Sequence, residues 1–430
     1  VRIFVKLAAL ATLFASAAVA VPVPKDKTQM VAEVLSAAEK AASEIKNSQE
    51  RADTLLEIAH EYAQAGDTKT ARRVFGEVVD LRRTDKKKSI TYLPAEMVAA
   101  GLIDDGLELL EKLAADYPKD LRDTRFDCLF ALKGSGKVKQ QTELFNAIPL
   151  DEKEVVASLM AGEYAAAGDF KSAEGMLDGL TNPDVRAEVR LELAVAYHRA
   201  KDAKKSAEHL KVAAETIRNE IDGDTDYWQS KMAIAQVRTG DRETAITTIG
   251  KITNSTFRTQ AILAVMKADL AAGNVKAATD AAKLCEKEDI DQAMFRVAVF
   301  HLNKGETEKA AKVLKGFNSR YWQARGRLWM AVTLAKGRKA DETKKEIAEA
   351  NELVLGEDFW KLEKMAWNLE EKDTLRLDFA RAWVAVGEAR ERMSEYAKLS
   401  DPCERCRRLL TLAKGFRPPV LDGQSWWDGP

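Results

Sequence analysis

The sequence predicts an all-α fold, a right-handed superhelical solenoid of about ten helix–turn–helix units. Three observations predict it. First, a phrase recurs. Ala65-Gly66-Asp67-Thr68-Lys69-Thr70-Ala71 returns as Ala167-Gly168-Asp169-Phe170-Lys171-Ser172-Ala173 and as Thr239-Gly240-Asp241-Arg242-Glu243-Thr244-Ala245. It returns again around Gly273 and Gly305, with looser copies at Gly101, Gly136, Lys201, Gly337 and Gly387. Second, most of these marks lie roughly 32–39 residues apart, the period of a stacked repeat array. Third, strand signals are absent. No alternating apolar runs lie between paired turns, and proline falls mostly at joints such as Pro118, Pro149, Pro183 and Pro402.

The elements follow in chain order. Arg2 and Lys6 precede an apolar run over 7–20 that ends in Ala18 and Ala20. That is the layout of a secretory signal peptide cleaved after Ala20. Residues 1–20 are therefore expected to be removed, and the mature chain to be exported, periplasmic or secreted. Its later segments are too polar to span a membrane. Residues 21–47 form an N-terminal segment. There Asp26, Lys27 and Thr28 supply caps for a first helix from Gln29 to about Lys46, with Val31, Val34, Leu35, Ala38 and Ala42 at helical spacing.

The repeats occupy 48–415. In the first, Ala52, Leu55, Leu56, Ala59, Tyr62 and Ala63 form the apolar stripe of a helix that Gly66 ends, because glycine accepts the left-handed conformation of a C-terminal cap. Asp67 and Thr68 start a second helix, where Ala71, Val74, Phe75 and Val78 face inward. The long step from Gly337 to Gly387 predicts an extra helix or an inserted hairpin around 359–369. Residues 416–430 form a Pro- and Gly-rich tail carrying Trp426 and Trp427. It is expected to be flexible, and either folds back on the last repeat or docks on a partner.

These positions resemble the tetratricopeptide repeat. Ala59, Tyr62, Gly66, Ala71 and Phe75 fit its spacing of small, aromatic, turn, small and large residues, and so do Ala161, Tyr164, Gly168, Ala173 and Leu177. The copies at Gly240 and Gly305 fit with Gln236 and His301 at the aromatic position. Others depart: Pro94 replaces a small residue, Gln141 replaces the second-helix alanine, and Lys336-Gly337-Arg338-Lys339 blurs a turn. The resemblance covers nearly all of 48–415. It implies a superhelix whose first helices line a concave face, and a non-catalytic protein that binds a protein or peptide there. By family spacing that face includes Asp53, His60, Glu188, Arg238, Gln260, Lys267, Gln292 and Arg327. Their mixed charges form no basic ladder.

Tyr227-Trp228-Gln229 and Tyr321-Trp322-Gln323 form a second pattern, with Phe359-Trp360-Lys361 as a relative. These aromatics read as wedges between adjacent repeats rather than as a stacking platform for a ligand, since aromatics dominate core burial.

The charge balance, 67 Lys and Arg against 68 Asp and Glu, gives no electrostatic case for nucleic acid or an anionic membrane. Arg82, Arg83 and Lys86 to Lys88 form the one basic cluster, read as a solvated connector.

Among reactive groups, Cys403 and Cys406 are the only cysteines at chemical spacing. Asp401-Pro402 caps their helix, and a helix N-terminus lowers a thiol pKa. In an exported protein the pair is a disulfide, a redox-active dithiol, or two core thiols. A thiol–disulfide protein is thus the alternative function. Cys128 and Cys285 sit in apolar stripes and read as core. His60, His198, His209 and His301 lack metal-ligand spacing, and no phosphate loop or nucleophile elbow occurs. Metal and cofactor sites are therefore not expected, nor is catalysis. Acidic pairs such as Asp104/Asp105, Asp289/Asp291 and Glu370/Glu371 read as solvated faces in so charged a chain.

Overall fold

The structure, a computed structural model, describes residues 25–84, 90–117, 121–223, 225–287, 289–354 and 369–417. The expected signal peptide, Lys86 to Lys88, nearly all of the expected insertion around 359–369, and Trp426 and Trp427 lie outside these residues.

Among the described residues all regular structure is helical, 22 α-helices and one 3-10 turn. A first helix, α1 (Lys25–Ser43), starts and ends a few residues earlier than the sequence suggests. Then come α2 (Ser48–Gln64), α3 (Thr68–Thr84), α4 (Leu93–Ala99), α5 (Ile103–Asp116), α6 (Leu121–Ala131) and α7 (Val138–Asn146). After a 3-10 turn at Leu150–Val156 follow α8 (Ala157–Ala166), α9 (Phe170–Gly175), α10 (Pro183–Arg199), α11 (Ala203–Asn219), α12 (Thr225–Arg238) and α13 (Arg242–Ile249). The chain continues through α14 (Ser255–Ala271), α15 (Val275–Ala282), α16 (Ile290–Asn303), α17 (Thr307–Leu314), α18 (Arg320–Lys336) and α19 (Ala340–Leu353). It closes with α20 (Leu369–Val386), α21 (Ala389–Tyr396) and α22 (Pro402–Gly415). Helices pair mostly with their sequence neighbours, as helical repeat packing requires.

Local chemistry sets the helix ends. Asn47 begins α2 by accepting from the amides of Gln49 (3.0 Å) and Glu50 (3.1 Å). Asn182 and Asn254 cap α10 and α14 in the same way. The Asp of the recurring phrase caps the second helix of a pair, at Asp169, Asp202 and Asp241. Each such cap is worth about 1 kcal/mol. At the turn itself the chain makes a six-residue loop back, with Asp67 N–H donating to Tyr62 O at 2.9 Å and Asp169 N–H to Tyr164 O at 2.9 Å. Gly66 carries φ +86° there. Two copies hold this strained conformation without glycine, at Lys201 (φ 65°) and Arg338 (φ 58°). In the blurred copy the turn residue is therefore Arg338, one position after the glycine that marks it in the sequence.

The described residues divide into two compact units, 112–293 and the combination of 25–111 with 294–417. In the first unit a core joins Ala187, Leu191 and Val195 of α10, Ala213 of α11, and Trp228, Met232 and Ala235 of α12. Trp228 lies between successive pairs, as a wedge. In the second unit Phe295, Ala298 and Leu302 of α16 pack with Ala310 and Leu314 of α17 and Trp329, Met330 and Leu334 of α18.

That second unit also holds a buried charge cluster. Arg325 and Asp378 are each 1% exposed and meet at 2.8 Å. Asp378 further accepts from Trp329 Nε1 (3.2 Å) and Arg381 (2.9 Å). The guanidinium of Arg325 lies against the rings of Phe295, Trp322 and Tyr321, at 5.0, 5.2 and 5.6 Å from their centres.

The repeat pattern does not foresee how the chain's ends are arranged. Among the described residues no helix precedes α1 and none follows α22. The two pack on each other. Leu35, Ala38 and Ala42 from α1 and Leu409 from α22 are fully buried. The thiol of Cys406 donates to Ala38 O at 3.2 Å. Ion pairs surround this contact with one polarity. Arg405, Arg390 and Lys414 reach Glu44, Glu33 and Glu57 at 3.0, 3.5 and 3.4 Å, and Arg417 reaches Glu61. α1 thus serves α22 as a packing partner.

α22 also packs against α20, and Gly415 makes that approach possible. A Cβ there would lie 2.8 Å from the carbonyl carbon of Ala380 and 3.0 Å from its oxygen. Backbone atoms cannot rotate away. Gly415→Ala is expected to destabilise the protein by about 1–3 kcal/mol, as overpacking does. Urea unfolding checks this, and an unchanged midpoint refutes it.

Candidate functional site

A concavity with a volume of ≈ 560 Å³ lies in the first unit. It is built by α8, α10 and α12, each the first helix of its pair, with Phe130 and Lys133 at one wall. Its floor is made of small and apolar side chains, including Gly162, Leu159, Ala196, Val195 and Ile234. Gly162 is part of this lining. A Cβ built on it meets nothing within 4 Å, so the glycine faces open space rather than a neighbouring helix.

Charged groups occupy the two ends. At one, Glu188 accepts from Tyr227 Oη at 3.0 Å and pairs with Lys231 at 3.3 Å, and Ser158 Oγ lies 3.4 Å away. Burial works against the Lys231 ammonium, but Glu188 and the Tyr227 hydroxyl outweigh it and hold its pKa above the usual lysine range. This end is electrically closed. At the other, Arg199 and Arg238 stand on neighbouring helices at the same offset, two residues before their turn residues Lys201 and Gly240. Glu192 reaches Arg238 at 3.7 Å. Arg199 keeps an exposed surface while the groove wall desolvates part of it. That desolvation and then the Arg238 charge lower its pKa, and Glu192 only partly opposes them.

Of the residues expected on a concave face, the structure brings Glu188 and Arg238 together in this groove. Gln260 and Lys267 lie on α14 and Gln292 on α16, and none of them lines it. Asp53, His60 and Arg327 belong to the second unit. Asp53 is bound by Arg82, His60 Nε2 sits 2.9 Å from Glu96, and Arg327 is held by Glu346 (2.9 Å) and Glu349 of the helix that follows it. Arg327 therefore faces its own pair. Sequence reading missed Glu192, Arg199 and Lys231. The signal for Arg199 was its offset from Lys201, matching that of Arg238 from Gly240.

Cys403 and Cys406 are free thiols, the first partly exposed and the second buried. Asp401 caps their helix by accepting from Cys403 N–H at 3.0 Å. The lowered pKa expected of a helix start is not found. Burial, then the Glu50 carboxylate, pushes Cys403 up to about 11, and burial pushes Cys406 up to about 12. Cys128 and Cys285 are buried, and burial raises both thiols. Asp289 and Asp291 do not form a solvated face. Asp291 is buried, and Asp289 accepts from Thr259 Oγ1 at 2.7 Å. Among the described residues no three His, Cys, Asp or Glu side chains are placed to share a metal ion, and no helix is long and apolar enough to cross a membrane.

His209 is buried in a stack with Tyr197 (ring centres 5.5 Å apart), which stacks in turn on Phe170. Glu174 accepts from Tyr197 Oη at 2.5 Å and from Lys205 at 3.0 Å, and lies 3.9 Å from His209. Burial, then the Arg190 charge, depresses the His209 pKa against the opposing pull of Glu174 and Glu208. A base depressed in the folded state stabilises the fold above its unfolded pKa of about 6.5, and that stability is lost as pH falls from there through the folded value. The wild-type melting temperature is expected to drop more between pH 7.5 and pH 5 than that of His209→Gln. Parallel pH profiles would refute the assignment.

No protein-family model matches this chain, and no curated protein matches it.

Proposed function

We propose that this chain is a non-catalytic interaction module of the tetratricopeptide-repeat type, a stack of two-helix repeats that acts after export and holds a protein or peptide in the groove of its first unit. One observation carries the reading. Three successive first helices contribute matched positions to one concavity, and Gly162 in its lining faces open space. A repeat array produces such a surface directly, because each first helix presents the same offset to the same side. Four of the titratable groups there are committed to one another, Glu188 to Lys231 and Glu192 to Arg238, rather than converging on a point where a reacting atom would sit. The redox alternative loses support, since both thiols at the start of α22 are raised rather than activated.

The groove is tested by filling it. Gly162→Leu places a side chain into the concavity, starting from a Cβ that meets nothing within 4 Å. It also replaces a mid-helix glycine, a change worth up to about 1 kcal/mol in favour of the helix. The variant is expected to melt no lower than wild type and to lose the partner that wild type captures from the exported fraction. A partner retained equally by both removes the groove from the reading, and turnover of a substrate by the purified chain overturns the class.

A further inference from the structure

We propose that the second unit carries a site for a phosphate group, free or on a small ester, between Lys40 of α1 and Arg51 of α2. The site is separate from the groove and does not depend on what the groove binds.

A second concavity, of ≈ 490 Å³, lies between α1, α2 and α3. Three cations face two carboxylates in it, Lys40, Arg51 and Arg73 against Glu39 and Glu77. Both carboxylates turn to the same cation. Arg73 donates to Glu39 at 2.9 Å and to Glu77 at 2.6 Å, and Tyr62 Oη donates to Glu39 at 3.3 Å. Among the described residues the side chains of Lys40 and Arg51 have no hydrogen-bond or ion-pair partner. Nε of Arg51 is buried without an acceptor. A buried donor left unmade is a standing cost, and an oxygen entering the concavity relieves it.

The same helix position is filled elsewhere in the chain. Arg51 stands four residues after the cap Asn47, and Arg186, Arg258 and Arg405 stand at that offset from Asn182, Asn254 and Asp401. Each of these three holds a glutamate that follows the end of a neighbouring helix: Arg186 with Glu220, Arg258 with Glu286, and Arg405 with Glu44 at 3.0 Å. The fold thus builds an anion seat at this offset, and in α2 no described residue takes it. In α10 the counterparts of Arg51 and Tyr62 are Arg186 and Tyr197, and neither lines the groove. The seat is therefore on another side of the first helix.

Donor geometry selects the anion. Lys40 stands four residues before the connection 44–47 and Arg51 four after it, so antiparallel helices bring them level. Ser36 lies one turn back on the same face of α1, and its hydroxyl has no partner among the described residues. Donors therefore come from two helices. A planar carboxylate is saturated by the arginine fork alone, whereas a tetrahedral oxyanion has oxygens left for the ammonium and the hydroxyl. The concavity is larger than the ion needs, which leaves room for the carrier of a small ester.

The test is isothermal titration of the full chain with inorganic phosphate, glycerol 3-phosphate and acetate at physiological salt. Wild type, Arg51→Gln, Lys40→Gln, Asp85→Asn and Gly162→Leu are compared. Both phosphate compounds are expected to bind one to one and to raise the melting temperature, as a ligand of the native state does. Arg51→Gln and Lys40→Gln should each weaken binding at least about tenfold, the loss of a charge-assisted bond. Arg51 has no partner to lose, so Arg51→Gln should melt with wild type when phosphate is absent. Gly162→Leu should bind phosphate normally, which separates this site from the groove. Absence of saturable binding, or equal binding by Arg51→Gln, would overturn the proposal. Acetate binding as tightly as phosphate would overturn the tetrahedral preference. Binding of inorganic phosphate without glycerol 3-phosphate would overturn the ester and leave the free ion as the occupant. Asp85 follows α3 and lies outside the described residues. If Asp85→Asn binds phosphate at least about tenfold more tightly than wild type, the chain's own carboxylate fills the seat and the proposal fails.

Discussion

Asp378→Ala is expected to be the most damaging single substitution considered for this protein, costing about 3–5 kcal/mol. Its carboxylate is 1% exposed and accepts from Arg325, Trp329 and Arg381. Removing it takes away a carboxylate that meets the Arg325 guanidinium, itself 1% exposed among the rings of Phe295, Trp322 and Tyr321. Ring faces attract a cation, but by about 2 kcal/mol or less at one contact, so they do not replace a carboxylate. A second variant separates the charge effect from packing. Arg325→Met/Asp378→Leu removes both ions and keeps apolar volume, and is expected to recover most of the loss. Urea titration of the three proteins is the measurement. If the double variant is as unstable as Asp378→Ala, the unpaired charge is not the cause.

Deleting residues 21–46 is expected to unfold α22 and weaken α20, although neither is near the deletion in sequence. α1 contributes Val31, Val34 and Leu35 to the core, all 8% exposed or less, with Ala38, Ala41 and Ala42 beside them. Burying one Val or Leu side chain is worth about 1.5–3 kcal/mol, so the three larger ones alone contribute about 5–9 kcal/mol gross. The deletion also removes the helix packed on α22 and the Ala38 carbonyl that accepts from Cys406. Hydrogen exchange should show lost protection in α22 before any change in α10 to α12. Native protection throughout α22 in the truncated protein would show that α1 is dispensable there.

Legibility followed sequence distance. The Gly turns, the Asp and Asn caps and the helix stripes were readable because each is decided within a few residues, by a left-handed φ or a side chain reaching its own backbone. Glu188 and Arg238 were readable as groove residues because a repeat transfers an offset from one copy to the next. Partnerships across the chain were not. Arg325 and Asp378 are 53 residues apart, and nothing local distinguishes a buried arginine from a solvated one. Arg327 has the same kind of neighbourhood in sequence, and its pairing with Glu346 and Glu349 was equally invisible there. The pairing of α1 with α22 was invisible for a further reason: an amphipathic stripe states that a helix needs a partner without stating which.

That pairing sets an order on folding as well as on stability. Cys406 and Ala38 are separated by 368 positions. The ribosome releases α1 long before α22, so the stripe of Val31, Val34 and Leu35 waits while all the helices between them are made for the surface that will cover it. Contacts between distant positions form slowly because the loop they close must be ordered first. During that wait the exposed stripe is available to any other apolar surface, including another unfinished copy of the same chain. The last step of folding is therefore a race between this closure and misassembly, and a holding chaperone that covers α1 would change the yield without touching the stability of the finished protein.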